Sequence, residues 1–374
     1  MITLLVLAAL FVAFANGAND NFKGVATLFG TAATSYRGAL AWATLTTLAG
    51  SLASLVAGGA LVKSFSGKGL VPQNLTTDLH FLVAVGGGAA FAVLVATLIG
   101  MPVSTTHSLL GGLIGAGLMA AGSHVDFAAL GRNFVSPLLL SPILSILLTW
   151  VVYTSLRAVR RFVRIETETC LCVGEAHDLV DLRADGSAVL RSTGVILSTG
   201  ELSQCRTRYT GHVFGISAQR VLVSLHFVSA GAVSFARGLN DTPKIVALLV
   251  AAGLAAHPGW SLSTTAVMAM GGLLGAKRVA ETMSHRITAM NEGQGFSANL
   301  ATALLVILAS ALGLPVSTTH VSVGALFGLG LANRRANPRQ VISILTAWVT
   351  TLPMAGALAA LLYWGVTRLA QITP

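Results

Sequence analysis

The chain is a succession of long apolar runs broken by short polar stretches. In the first half the runs cover about 2–16, 20–34, 38–62, 79–100, 103–121 and 134–158; in the second they cover about 217–237, 241–256, 260–283, 296–313, 316–332 and 340–369. About 20 apolar residues cross the hydrocarbon core of a bilayer as a helix. The pattern therefore predicts an all-α polytopic membrane protein with about 10–12 helical segments. Some runs are too short to span alone. Those at 20–34 and 241–256 begin at Asn-Asp, a pair suited to capping a helix N-terminus. Those at 103–121 and 316–332 follow a proline and are rich in glycine, which predicts half-helices or re-entrant hairpins.

Composition narrows the class. Hydrophobic residues make up 54% of the chain and charged residues 10%, against about 25% charged in soluble proteins. This excludes a soluble enzyme, a disordered chain, a coiled coil and a disulfide scaffold. The net charge of +10 fits cytoplasmic loops that retain Lys and Arg. No motif supports nucleic-acid binding.

Charge is concentrated in the middle. Residues 157–220 hold nine arginines and seven acids. Arg157, Arg160, Arg161 and Arg164 follow directly on an apolar run, which predicts a cytoplasmic junction. Three regions are expected: membrane repeat 1 at 1–156, a polar cytoplasmic insert with β character at 157–216, and membrane repeat 2 at 217–374. The insert carries Cys170, Cys172 and Cys205, with His177 and His212 nearby. Their spacing is a poor match to a metal site, so no metal is expected and the thiols read as reduced. Asp185-Gly186 signals a hairpin turn. The opening segment lacks a basic leader region and reads as a membrane segment. The location expected is the plasma (inner) membrane, multi-pass, in contact with the lipid bilayer.

The two apolar halves repeat each other. Pro102-Val103-Ser104-Thr105-Thr106-His107 recurs unchanged in the second half as Pro315-Val316-Ser317-Thr318-Thr319-His320. Gly17-Ala18-Asn19-Asp20-Asn21-Phe22-Lys23 recurs in altered form as Gly238-Leu239-Asn240-Asp241-Thr242-Pro243-Lys244. Duplicated hydrophobic halves with interrupted segments at matching places are the sequence signature of a transporter with a midplane site where the copies meet. An odd number of crossings per half makes the copies inverted, which is the arrangement expected here.

The repeated residues suggest an anion site. Ser104, Thr105, Thr106, Ser317, Thr318 and Thr319 supply hydroxyls at helix N-termini, where free N–H groups and the helix dipole favour negative charge. The prolines are expected to occupy the first helical positions. Asp20 and Asp241 are two of six acids outside the central segment, and ionisable groups inside membrane segments are costly and functional by default. Lys23 and Lys244 lie three residues after each Asp and share its helix face. The lysines are expected to attract the anion, and Asp20 and Asp241 to accept a hydrogen bond from it or carry a proton. His107 and His320 are further proton-coupling candidates. Asn19 and Asn240 are expected to contact substrate or hold the turn.

These motifs, with their order and the stretch Gly275–Glu281 (GAKRVAE), resemble the inorganic phosphate transporter (PiT) family of anion permeases. The resemblance implies an inverted-repeat membrane fold, a phosphate site between the copies, and secondary active transport coupled to Na⁺ or H⁺. It implies that Asn19, Asp20, Ser104, Thr105, Thr106 and their counterparts Asn240, Asp241, Ser317, Thr318, Thr319 line the site. Sodium-coupled members usually carry Asn three residues after the motif Asp; here both copies carry Lys. An ammonium has three donors and no acceptor, so it occupies a cation's place and argues against Na⁺. The Asp-x-x-Lys form is similar to proton-coupled bacterial members. The expectation is phosphate uptake with H⁺, or as a neutral metal–phosphate complex. Sulfate is the alternative substrate, disfavoured because it has no proton to give a carboxylate. An intramembrane Ser/His hydrolase is the rival from another class; duplication of the whole motif opposes it, since a catalytic dyad is needed once. The chain is thus expected not to be an enzyme and to need no cofactor; a homodimer is admitted, not required.

Overall fold

The computed structural model describes residues 1–67, 69–166, 169–182, 188–201, 214–254 and 257–372. The chain forms two compact units, one of Met1–Tyr153 with Val228–Pro374, the other Thr154–Phe227.

The larger unit is helical. Its main elements are α1 (Ile2–Asp20), α2 (Ala26–Gly30), α3 (Tyr36–Ala57), α4 (Gly59–Ser64), α5 (Leu79–Leu98), α6 (Thr105–Ala121), α7 (Phe127–Leu130) and α8 (Ser136–Phe162) in the first half. The second half holds α9 (Ala218–Ala251), α10 (Pro258–Gly275), α11 (Lys277–Glu281), α12 (Glu292–Ala311), α13 (Thr318–Asn333) and α14 (Pro338–Ile372). Among the described residues, seven helical stretches are long and apolar enough to cross a membrane. The protein is an all-α polytopic membrane protein. Helices α6 and α13, with 17 and 16 residues, are about 25 Å long, short of a bilayer's hydrocarbon core of about 30 Å.

Two expectations about helix ends need correction. Neither Asn-Asp pair caps a helix. Asp20 is the last residue of α1, followed by a 3₁₀ turn at Lys23–Val25. Asn240 and Asp241 lie inside α9, which runs unbroken through Pro243. Both carboxylates are held by side chains instead, Asp20 by Lys23 and Asn16 and Asp241 by Lys244 and Arg237. Likewise Pro102 and Pro315 are not first helical residues. Ser104 and Ser317 are the caps, each accepting a hydrogen bond at 3.2 Å from the backbone N–H of His107 or His320.

Packing follows the sequence repeat. A Cβ on Gly50 of α3 would lie 1.9 Å from the Phe235 carbonyl oxygen of α9. A Cβ on Gly271 of α10 would lie 2.1 Å from the Phe14 carbonyl oxygen of α1. Phe14 and Phe235 are counterparts in the repeat, related by the same spacing as Asp20 and Asp241, and so are Gly50 and Gly271. The short helices behave alike: Gly111 of α6 abuts Leu352 of α14, while Gly324 of α13 abuts Pro142 of α8. Equivalent positions thus exchange partners between the halves. Small residues are what let the backbones approach this closely.

The smaller unit contains a three-stranded antiparallel sheet, β1 (Thr169–Leu182), β2 (Ala188–Glu201) and β3 (Phe214–Ser217), in the order β2-β1-β3. Asp185-Gly186, Cys205 and His212 lie outside the described residues. Cys170 is buried and free.

Gly50→Val and Gly271→Val are each expected to lower unfolding stability by about 1–3 kcal/mol through overpacking. Gly59→Ala, where an added Cβ meets nothing within 4 Å, is expected to be near neutral. Thermal unfolding in detergent reads the difference.

Candidate functional site

The motif residues of both halves converge on one buried cluster. At its centre are two ion pairs: Lys23 Nζ lies 2.5 Å from Asp20 Oδ1, and Lys244 Nζ lies 3.3 Å from Asp241 Oδ1. All four side chains are under 5% exposed. Each pair sits at i and i+3: Asp241 and Lys244 share one face of α9, and Asp20 and Lys23 meet across the turn that ends α1.

Each lysine reaches into the other half. Lys23 donates to the Thr319 hydroxyl at 2.6 Å and to the Val103 carbonyl at 2.8 Å. Lys244 donates to the Thr106 hydroxyl at 2.8 Å and to the Val316 carbonyl at 2.8 Å. Thr106 and Thr319, like Val103 and Val316, are counterparts in the repeat. Each copy's ammonium is thus satisfied partly by the start of the short helix of the other. Thr105 donates to Asp20 at 3.4 Å and Thr318 to Asp241 at 3.5 Å.

The asparagines hold the backbone around this centre. Asn19 donates to Thr97 at 2.8 Å and to the Met101 carbonyl at 3.0 Å, and accepts from the Val103 N–H at 3.0 Å. Asn240 donates to the Val316 carbonyl at 3.2 Å and accepts from Ser310 at 3.2 Å. Thr97 and Ser310 are again counterparts, related by the spacing that takes Pro102 to Pro315. Both asparagines therefore clamp the extended PVST segment. Asn19 also accepts from Lys23 at 2.8 Å.

Not every expected residue joins the cluster. Ser104 and Ser317 accept the capping hydrogen bonds of α6 and α13 through their hydroxyl oxygens. The rings of His107 and His320 face each other across the halves, centroids 4.5 Å apart, and His320 packs at 3.8 Å on Trp348. Trp348 donates to the Pro102 carbonyl at 3.0 Å. Among the described residues no hydrogen bond joins either imidazole to Asp20 or Asp241. His107 Nδ1 and His320 Nε2 are buried without hydrogen-bond partners.

The residue that sequence reasoning missed is Arg237. It lies one helical turn before Asp241, with its Nε 3.8 Å from Asp241 Oδ2. Its Nη atoms donate to Asn16 at 2.8 Å, Asn21 at 2.9 Å and Thr47 at 3.2 Å. Asn16 in turn bridges the halves, donating to Asp20 at 3.0 Å, Thr105 at 2.9 Å and Asp241 at 3.2 Å. Asn16 and Arg237 occupy matching positions, just before Gly17 and Gly238 of the repeated motif, so the repeat is broken here. A lone basic residue within the apolar run before Asp241 was the available signal. The cluster holds two carboxylates and three cations, a formal charge of +1. Buried Arg237 Nε has no hydrogen-bond partner, leaving a donor free at the centre.

Removing Arg237 leaves two carboxylates with two ammonium groups, a neutral set, but takes the guanidinium donors away from Asn16 and Asn21. Arg237→Met is expected to cost about 1–3 kcal/mol through those buried acceptors, and Arg237→Met with Asp241→Asn, which restores an unmatched positive charge, to recover none of that loss. Denaturant unfolding in detergent checks both.

Comparisons with known proteins give the family and the fold. Residues 3–359 match the profile of the Phosphate transporter family. The chain is 29% identical to a probable low-affinity inorganic phosphate transporter of Rhizobium meliloti, over 98% of this chain and 96% of that one. It is 27% identical to a putative phosphate permease of Pyrococcus abyssi, over 96% of each. A solved structure titled as the sodium-dependent phosphate transporter has the same fold, with a TM-score of 0.74, 22% identity, and coverage of 98% of this chain and 99% of that one. With two buried Asp-Lys pairs joined across its repeated halves, and a family match along nearly its whole length, the chain belongs to the Phosphate transporter family, whose members are transporters and not enzymes.

Proposed function

We propose that this protein is a secondary active transporter of inorganic phosphate, coupled to H⁺, with the cluster around Asp20, Lys23, Asp241, Lys244 and Arg237 as its substrate site. The observation that carries the reading is the formal +1 charge of a cluster buried in a membrane protein. Burial of net charge in low dielectric is expensive. A single anionic charge neutralises the site. Dihydrogen phosphate supplies it directly; hydrogen phosphate supplies it together with one proton. Either way one phosphate enters with its charge reduced to −1, which is the stoichiometric basis of H⁺ coupling.

The donors suit a tetrahedral oxyanion. Arg237, Lys23, Lys244, Thr106 and Thr319 offer hydrogen bonds to phosphate oxygens, and α6 and α13 add two helix N-termini. Asp20 and Asp241 accept from a P–OH group. On arrival of phosphate, each ammonium exchanges part of its contact with Asp for contact with the anion. Sulfate has no O–H to donate and meets the carboxylates as a like charge, which disfavours it. Asn19 and Asn240 set the PVST backbone. Asp20 and Asp241 are the proton carriers in this reading. His107 and His320 are secondary candidates because they lie outside the hydrogen-bonded cluster.

Na⁺ coupling is at odds with the same count. An added cation raises the site's charge, and the two ammonium groups stand where a Na⁺ would be balanced by carboxylates. The sodium-dependent title of the structural neighbour belongs to that protein. Inversion of the repeats in the membrane and a cytoplasmic insert belong to this proposal, as do the region boundaries 1–156, 157–216 and 217–374. The basic end of the membrane unit supports the orientation: Arg37, Arg286, Arg334, Arg335 and Arg339 lie near the joined segments 284–291 and 334–338. Such an end faces the cytoplasm, with the protein in the inner (plasma) membrane.

In proteoliposomes, labelled phosphate uptake is expected to follow an imposed pH gradient without Na⁺, and excess sulfate to compete weakly. Lys23→Asn with Lys244→Asn is expected to weaken pH-driven uptake and to introduce a response to Na⁺. Uptake that needs a Na⁺ gradient and ignores pH contradicts the proposal.

A further inference from the structure

The correspondence between the halves also fails beside Lys23. Beside Lys23, Asn299 of α12 donates to the Thr27 hydroxyl at 2.8 Å and to Ser229 at 3.5 Å. Lys23, Thr27, Asn299, Thr302 and Ser322, with Val233, Ala298 and Leu326, line one recess that has room for about one water molecule, and Ser229 adjoins it through Asn299. Thr27, Ser229, Asn299, Thr302 and Ser322 are polar and buried. The two repeat spacings, from Pro102 to Pro315 and from Asp20 to Asp241, assign each a counterpart: Gly86 for Asn299, Leu248 for Thr27, Ala8 for Ser229, Ala89 for Thr302 and Leu109 for Ser322. Every counterpart is apolar, and every one is buried.

The counterparts also meet in space as the repeat requires. A Cβ on Gly86 would lie 3.3 Å from Ala8 Cβ and 3.3 Å from Leu248 Cδ1. This is the geometry of Asn299 with Ser229 and Thr27, with polar groups replaced by methyls. Leu248, Ala89 and Leu109 are part of the main apolar core with Leu5, Val12 and Val85. One flank of the site is therefore a polar seam and the other a dry seal.

The flanks point to opposite ends. Asn299 lies two turns from the start of α12, where Gln294 donates to Tyr153 at 3.3 Å and the nearby segments 284–291 and 334–338 carry Arg286, Arg334 and Arg335. Gly86 lies two turns from the start of α5, which is capped by Asp78 at the other end.

We infer that the Thr27–Ser229–Asn299–Thr302–Ser322 seam is a hydrated subsite through which phosphate passes between Lys23 and the cytoplasm, while the Ala8–Gly86–Ala89–Leu109–Leu248 seal closes the outer side. The identity of the ion rests on the function proposed above; the passage rests on the seam itself. Water enters a cavity that offers it several polar partners and avoids an apolar one of equal size. Amide and hydroxyl groups also replace part of an oxyanion's hydration shell without trapping it by charge. Only Lys23, of the two site lysines, borders the seam, so this lysine is the first to meet an ion arriving from the cytoplasm.

Matched cysteine pairs test the inference. With the three native cysteines replaced by serine, Ser229→Cys is compared with Ala8→Cys, and Thr302→Cys with Ala89→Cys. Each is treated with a membrane-impermeant charged thiol reagent in inside-out and right-side-out vesicles. The seam thiols are expected to react from the cytoplasmic side about tenfold or more faster than their counterparts, because an apolar setting suppresses the thiolate. Phosphate is expected to slow that reaction. Two independent pairs keep the test decisive if one variant fails to reach the membrane. Equal rates within both pairs, or reaction from the outer side alone, overturn the passage. Faster seam labelling that phosphate leaves unchanged upholds the passage and counts against the phosphate reading instead.

Discussion

Five charged side chains buried in a membrane protein impose the constraint on which the rest depends. Asp20, Lys23, Arg237, Asp241 and Lys244 are each nearly inaccessible. None would be tolerated alone, since an unpaired charge in low dielectric costs several kcal/mol (about 3–5 when one partner of a buried pair is lost). Their pairing within each half is local, at three-residue spacing. Their full satisfaction is not local: each ammonium needs a threonine hydroxyl from the opposite half. Neither half can complete its own hydrogen bonding, so folding the site and joining the halves are one event.

That requirement explains the packing. The halves must approach closely enough for Lys23 to reach Thr319 and Lys244 to reach Thr106. Glycines at Gly50 and Gly271 supply the approach by letting α3 meet the α9 backbone and α10 meet the α1 backbone. The extended PVST segments, clamped by Asn19 and Asn240, deliver the hydroxyls and the starts of α6 and α13 to the same point. The proposed function rests on the charge left over. Symmetric pairs alone would be neutral. Arg237, in the place of Asn16, adds the one cation that, in that proposal, suits the cluster to an anion.

Much of this was legible in the sequence. The apolar runs gave the membrane class, the unchanged PVSTTH copies gave the repeat, and matched Asp-Lys spacings gave the ion pairs. What the sequence concealed has physical causes. Asn-Asp resembles a helix cap, yet here the carboxylates are claimed by nearby cations, Asp241 by two on its own helix, and α9 runs straight through. Ser104 and Ser317 look like ligands in a hydroxyl run, but the first hydroxyl before a helix is the one positioned to cap it. Arg237 escaped notice because repeat comparison rewards residues that match, whereas the charge that matters is the one that does not. Exchange of partners between halves is likewise invisible to spacing, which measures separation along one chain segment and not across a two-fold relation.

The central claim is that the two halves share one anion site whose positive charge comes from side chains and not from bound Na⁺. Equilibrium binding of phosphate to the purified protein, measured by calorimetry with and without Na⁺, tests it most directly. The account predicts one phosphate per chain with an affinity that Na⁺ leaves unchanged. Two phosphates per chain, or binding that appears only when Na⁺ is present, would contradict it.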